Sequence, residues 1–116
     1  MPSSTPDDRL RGLVDPVDLT VALARIDSVN PSLVPGAAGE AEVARFVAAW
    51  GRAHGLEVHE EDVGGDRPNV VLVRRGSGGG RSIVLIGHLD TVGAASPTTM
   101  EVHVDGDRAT GRVVGR

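Results

Sequence analysis

The stretch Ile83-Val84-Leu85-Ile86-Gly87-His88-Leu89-Asp90-Thr91-Val92 decides how this chain is read. Four apolar residues in succession predict a strand over residues 82–87 that is buried on both faces, and such strands sit in the middle of a sheet. A histidine and an aspartate two residues apart emerge where that strand ends. Residues i and i+2 of a strand point to the same face, so the imidazole and the carboxylate are placed to work as a pair. Metal-bound histidines commonly give their second ring nitrogen to a carboxylate. His88 is therefore a candidate metal ligand and Asp90 its orienting partner. An ordinary His–Asp hydrogen bond at a strand end accounts for the same spacing.

Upstream of this element the pattern is helical. Asp15 followed by Pro16 gives an N-cap and a first-turn proline, and Leu19, Ala22, Leu23 and Ile26 recur at helical spacing to about Val29. Asn30-Pro31 stops that helix. A second helix is predicted over residues 40–54, with Val43, Phe46, Val47 and Trp50 forming one apolar stripe. Glu40 and Glu42 lie near the positive end of its dipole, Arg52 and His54 near the negative end, and Gly55 is placed as a C-terminal cap. Residues 1–14, polar and rich in Pro, Ser and Asp, read as a flexible lead-in, which leaves residues 15–116 as one folded unit.

Strands follow. Residues 56–62 alternate only partly, as an edge strand does, and Gly64-Gly65-Asp66-Arg67-Pro68 makes a turn. Residues 69–75 form a Val-rich strand, and Gly76-Ser77-Gly78-Gly79-Gly80 a flexible connection. Met100, Val102 and Val104 alternate up to Asp105-Gly106, a hairpin signal. Two N-terminal helices followed by about four to five strands of a mixed sheet indicate an α/β layer structure. Two helices are few for covering both faces of a sheet with an apolar central strand, so the layer structure is expected to be incomplete.

Composition narrows the function classes. A net charge of −4 in 116 residues argues against nucleic acid and anionic membrane as partners. The chain has no cysteine, which excludes disulfides and thiolate metal sites. The N-terminal residues lack the apolar core of a signal peptide, and no apolar run approaches the ~20 residues of a membrane span. A cytoplasmic setting is expected. The Gly76 to Gly80 loop is no phosphate loop, because it lacks a following Lys-Ser/Thr and leads into a strand. His54, His59 and His103 read as inert: the first as a dipole contact at a helix end, the others at solvent-facing strand positions.

From about residue 17 onward the chain resembles the beginning of the co-catalytic zinc amidohydrolase and exopeptidase family. That family includes acetylornithine deacetylase, succinyl-diaminopimelate desuccinylase, aminoacylases and glutamate carboxypeptidases. The diagnostic stretch is residues 83–92. Supporting stretches are Ser28-Val29-Asn30-Pro31 with Gly39-Glu40, Gly55-Leu56-Glu57-Val58, Pro68-Asn69-Val70-Val71, Asp105-Gly106-Asp107 and Gly111-Arg112. The resemblance implies an αβα catalytic domain, two zinc ions per complete site, and metal-assisted hydrolysis of an amide bond in a small acylated amino acid or peptide. It implies His88 as a zinc ligand and Asp90 as the catalytic-site residue that orients it.

The same resemblance exposes what these 116 residues do not carry. The family's bridging aspartate falls at Arg116, and Val113 replaces a glycine of that motif. A guanidinium cannot ligate a metal. Two unit charges at ~4 Å interact by ~4 kcal/mol at an effective dielectric of ~20, and here the sign is repulsive. The Glu-Glu pair and the later ligands of the family are absent as well. The expectation is an N-terminal portion of such an enzyme, truncated or part of a longer chain, that is inactive alone. Alternatives are a non-catalytic module pairing with a related enzyme through an exposed sheet edge, and a homo-oligomer that assembles its ligands across an interface.

Overall fold

The computed structural model describes residues 5–93, 102–106 and 112–114. They form a small α/β structure of three helices and two separate antiparallel strand pairs. The helices are α1 (Pro6–Gly12), α2 (Pro16–Ala24) and α3 (Ala41–Ala53). Strands β1 (Glu57–Asp62) and β2 (Pro68–Val73) form one hairpin, and β3 (His103–Asp105) and β4 (Arg112–Val114) the other. No helix among the described residues is long and apolar enough to cross a membrane.

Helix α1 lies where the sequence predicts a flexible lead-in. Its start is a capping box: the Thr5 hydroxyl accepts from the Asp8 amide at 3.2 Å, while the Asp8 carboxylate accepts from the Thr5 amide at 3.2 Å. Pro6 takes the first helical position, and Asp7 with Asp8 complements the dipole. The Trp50 indole N–H then donates to the Leu13 carbonyl at 2.8 Å, tying the end of α1 to α3. Helix α2 begins as expected, with the Asp15 carboxylate accepting from the Val17 and Asp18 amides. It ends at Ala24, about a turn before the position the apolar spacing indicates.

Helix α3 matches its predicted span to within a residue at each end, and its C-terminus closes as a Schellman turn. Leu56 N–H donates to Gly51 O at 2.9 Å and Gly55 N–H to Arg52 O at 3.0 Å, with Gly55 at φ 71°. Its buried face differs from the large-residue stripe read in the sequence. Ala41, Ala44, Ala48 and Gly51 are buried together with Val43, while Phe46, Val47 and Trp50 are only partly buried. Small residues win this face because helix and hairpin approach closely. A Cβ added at Gly51 would stand 2.6 Å from Leu72 Cδ2 and 3.1 Å from Val58 Cγ2.

The hairpin register runs from Glu57 opposite Val73 to Asp62 opposite Pro68. Its turn is fixed by the Asp62 carboxylate, which accepts from the Gly64 amide at 2.9 Å and the Arg67 amide at 3.2 Å. Strand β1 is exposed along almost its whole length, as an edge strand should be. The Asp105-Gly106 signal also corresponds to a hairpin: Asp105 pairs with Arg112, so the connection is six residues (106–111) rather than two. Met100, Asp107, Gly111 and Arg116 lie outside the described residues.

The expected mixed sheet is not formed among the described residues, and its expected central strand is the reason. Residues 82–87 belong to no strand ladder there. Ile83, Val84, Leu85 and Ile86 are 84%, 77%, 88% and 92% exposed. A strand apolar on both faces is stable only with a neighbour on each edge and a layer on each face. The described hairpins pair within themselves and supply neither.

Candidate functional site

His88 and Asp90 sit just before the place where this segment is stitched to the helical body. Thr91 forms a parallel bridge with Val29. Its N–H donates to Ser28 O at 2.9 Å, and its carbonyl accepts from Asn30 N–H at 2.9 Å. The Ser28 and Thr91 hydroxyls lie 3.3 Å apart. Ser28 and Val29 are buried, so the stitch anchors the segment to a fixed part of the fold.

Asn30 extends that anchor to the carboxylate. Its side-chain N–H donates to Asp90 Oδ2 at 2.7 Å, and its side-chain oxygen accepts from the Ser32 amide at 2.8 Å. The second bond fixes the amide's orientation, because a backbone N–H needs an acceptor. Arg67 adds a longer-range contact, its guanidinium 4.0 Å from Asp90 Oδ2. The same guanidinium donates from Nε to Glu40 Oε1 at 2.7 Å. Glu40 is buried, and its second oxygen has no hydrogen-bond partner among the described residues. Asn30's hydrogen bond is the chief reason the Asp90 carboxyl is held below its ordinary range. Burial opposes this, and the charges of His88 and Arg67 assist it. The hydrogen bond to Glu40 likewise raises the Arg67 guanidinium above its usual value.

The His88 ring is oriented by its neighbour two residues on. Nδ1 lies 2.8 Å from the Asp90 backbone carbonyl and 3.2 Å from Asp90 Oδ1. Both oxygens are acceptors, so Nδ1 carries a proton, and the tautomer this favours has its lone pair at Nε2. The side chain is 84% exposed, which leaves Nε2 open to solvent. In this state the imidazole exposes one ring nitrogen and holds the other against a carboxylate, the arrangement metal-bound histidines commonly show.

The other histidines do not converge on it. His54 Nδ1 donates to the Trp50 carbonyl at 2.9 Å and the ring stacks on Trp50 at 4.2 Å, so it completes the end of α3. His59 faces Glu57 at 2.8 Å on the exposed hairpin. The side chain of His103 lies outside the described residues. Among the described residues no group of three or more His, Cys, Asp or Glu side chains is gathered as a metal would require. A cleft of about 320 Å³ at the open end of the β1–β2 hairpin, lined by His54, Glu57 and Arg75 among others, includes neither His88 nor Asp90.

Three residues of this cluster escape a sequence reading by role. Asn30 reads as a helix stop, Glu40 as a dipole contact and Arg67 as part of a turn. Their contacts span 60 residues for Asn30–Asp90 and 27 for Arg67–Glu40, beyond any local signal. Only the family-like stretches around Asn30 and Glu40 point to them. Comparison of the chain with protein-family models, with curated proteins and with solved structures finds no match.

Proposed function

We propose that His88 and Asp90 form one arm of a metal-dependent amide or peptide hydrolase site of the zinc amidohydrolase and exopeptidase type. His88 is the ligand through Nε2, and Asp90 is the residue that orients it. Asn30 holds Asp90, and Thr91 fixes the segment to the fold. The observation that carries this reading is the His88 ring itself: Nδ1 committed to Asp90, Nε2 exposed. The substrate class follows from the resemblance, a small acylated amino acid or peptide handled in the cytoplasm.

The described residues do not gather a complete zinc site. Zinc in catalytic sites takes three protein ligands plus water, and His88 is one. No catalytic step is therefore assigned to the described residues. When bound in a complete site, zinc would polarise the amide carbonyl and activate water. What this chain contributes is the fixed tautomer and direction of one imidazole.

Long-range ¹H–¹⁵N correlation of the histidine rings at mildly alkaline pH tests this directly. The expected result is a His88 signal of the Nδ1–H tautomer, perturbed at Nε2 by added zinc, and a zinc response that disappears in His88→Ala. A dominant Nε2–H tautomer, or a zinc response at the other histidines that leaves His88 untouched, refutes the assignment. The isolated chain is expected to show no hydrolysis of N-acyl amino acids above buffer.

A further inference from the structure

We propose that Glu40 is a positioning residue of the candidate site: it holds the Arg67 guanidinium back from Asp90, so that the Asp90 carboxylate stays with His88. This rests on the reading of Asp90 as the residue that orients His88, and on no metal.

The first observation is a buried carboxylate with no local task. Glu40 stands at the N-cap of α3, yet its side chain makes no capping hydrogen bond. The residue is only 8% exposed, and one carboxylate oxygen has no hydrogen-bond partner among the described residues. A buried carboxylate is costly unless it is paired. Here the pairing is with Arg67, whose Nε donates to Glu40 Oε1 at 2.7 Å.

The second observation is an ion pair left open. An Arg67 Nη lies 4.0 Å from Asp90 Oδ2, beyond hydrogen-bonding distance. A guanidinium and a carboxylate match as a two-pronged, charge-assisted pair, stronger than a hydrogen bond between neutral groups. Closing the gap to a ~2.9 Å bond takes about 1 Å of movement. The Arg67 backbone is fixed, because its amide donates to Asp62 Oδ1 at 3.2 Å and its carbonyl accepts from the Val63 amide at 3.2 Å. The freedom that remains is in the side-chain torsions, and Glu40 removes it by holding Nε.

The consequence reaches the ring. Asp90 Oδ2 accepts from Asn30 at 2.7 Å, and Oδ1 lies 3.2 Å from His88 Nδ1. A guanidinium that gripped both oxygens would draw Oδ1 away from the imidazole and offset the negative charge beside Nδ1. Both effects weaken the preference for a proton on Nδ1. Arg67 and Glu40 therefore act on His88 with opposite signs: the cation competes for Asp90, and the buried carboxylate restrains the cation. An ion pair that merely tied α3 to the hairpin would give both residues the same sign.

The ratio of Nδ1–H to Nε2–H tautomer at His88 tests this, read on the full chain by long-range ¹H–¹⁵N correlation at mildly alkaline pH without metal. Circular dichroism confirms that each variant is folded. Glu40→Ala is expected to lower the ratio roughly threefold, the scale of one partly exposed charge contact. Glu40→Gln keeps an acceptor for Nε and should lower it less; it carries the test if Glu40→Ala does not fold. Arg67→Gln should leave the ratio at or above the parent value. Added to either Glu40 variant, Arg67→Gln should restore the parent ratio, since no guanidinium remains to be restrained. An unchanged ratio in the Glu40 variants, a fall in Arg67→Gln, or a double variant as low as its Glu40 parent overturns the proposal. A parent ring without the Nδ1–H tautomer sinks the reading of Asp90 and this proposal together. A parent ring that has it, unmoved by the Glu40 variants, sinks this proposal alone.

Discussion

Replacing Gly51 by alanine sets two opposing effects against each other inside α3. Glycine in a helix interior is about 1 kcal/mol less favourable than alanine, so helix propensity alone favours the substitution. Packing opposes it. The new methyl carbon would stand 2.6 Å from Leu72 Cδ2, 3.1 Å from Val58 Cγ2 and 3.5 Å from Leu72 Cδ1. Leu72 can swing away only by leaving its rotamer, at about 0.5–1.5 kcal/mol. Val58 is β-branched and has little freedom to follow. Overpacking of this kind costs about 1–3 kcal/mol, and the balance is a net destabilisation of about 1 kcal/mol.

Urea unfolding measures this. With a slope of about 1–3 kcal/mol per M, the Gly51→Ala midpoint should fall by about 0.3–1 M. The cause is separated from the amount by a double-mutant cycle. Leu72→Ala alone removes a half-buried side chain, at about 1–2 kcal/mol, below the range for fully buried leucine. In the double variant the methyl introduced by Gly51→Ala occupies space that Leu72 vacated. The two effects should then fall short of additive by about 1 kcal/mol. A Gly51→Ala protein with a raised midpoint, or strict additivity in the cycle, would show that the close approach of α3 to the hairpin is wrong.

Trp50→Phe keeps an aromatic ring on α3 but deletes the indole N–H that donates to Leu13 O at 2.8 Å. A loss of about 1 kcal/mol is expected, concentrated on α1, so trypsin should cut after Arg9 and Arg11 faster than in the parent while cleavage after Arg52 changes little. Equal acceleration at all three sites would refute a local tether. On the hairpin, the Glu57 carboxyl is held below its ordinary range first by its hydrogen bond from Arg75 and then by His59. Because the folded value is the lowered one, any stabilisation from this contact is present above the unfolded carboxyl's pKa and is lost as pH falls through the folded value. Arg75→Gln should move the Glu57 titration, followed by ¹³C NMR, up toward the ordinary range; an unmoved midpoint would refute the contact.

The helix starts and stops were written locally. Asp15-Pro16 caps α2, and Gly55 ends α3 in the left-handed conformation that the Schellman turn demands. Thr5-Pro6-Asp7-Asp8 is an equally local capping signal, outweighed in a composition-based reading by the polar character of residues 1–14. The β1–β2 hairpin follows from a Gly-Gly-Asp turn between two short strands, again a matter of near neighbours.

The failure at residues 82–87 has the opposite origin. Their apolar pattern states what surroundings the strand requires, and it holds no information on whether those surroundings exist. Among the described residues no strand pairs with this segment, so residues predicted to be central are exposed.

The same division runs through the candidate site. The His88-Leu89-Asp90 spacing is enough to bring an imidazole and a carboxylate together, because two residues of separation is a short-range geometric constraint. Which nitrogen is left free is a property of the folded chain, since it depends on the Asp90 carbonyl and carboxylate both facing Nδ1. Folding also brings Asn30, from across 60 residues, to hold the carboxylate that holds the ring. It places Arg67 between Glu40 and Asp90 in the same way. Sequence spacing fixes contacts within a turn or a strand, whereas contacts between segments exist only once the packing of α3, the hairpin and the Thr91 bridge has set the distances.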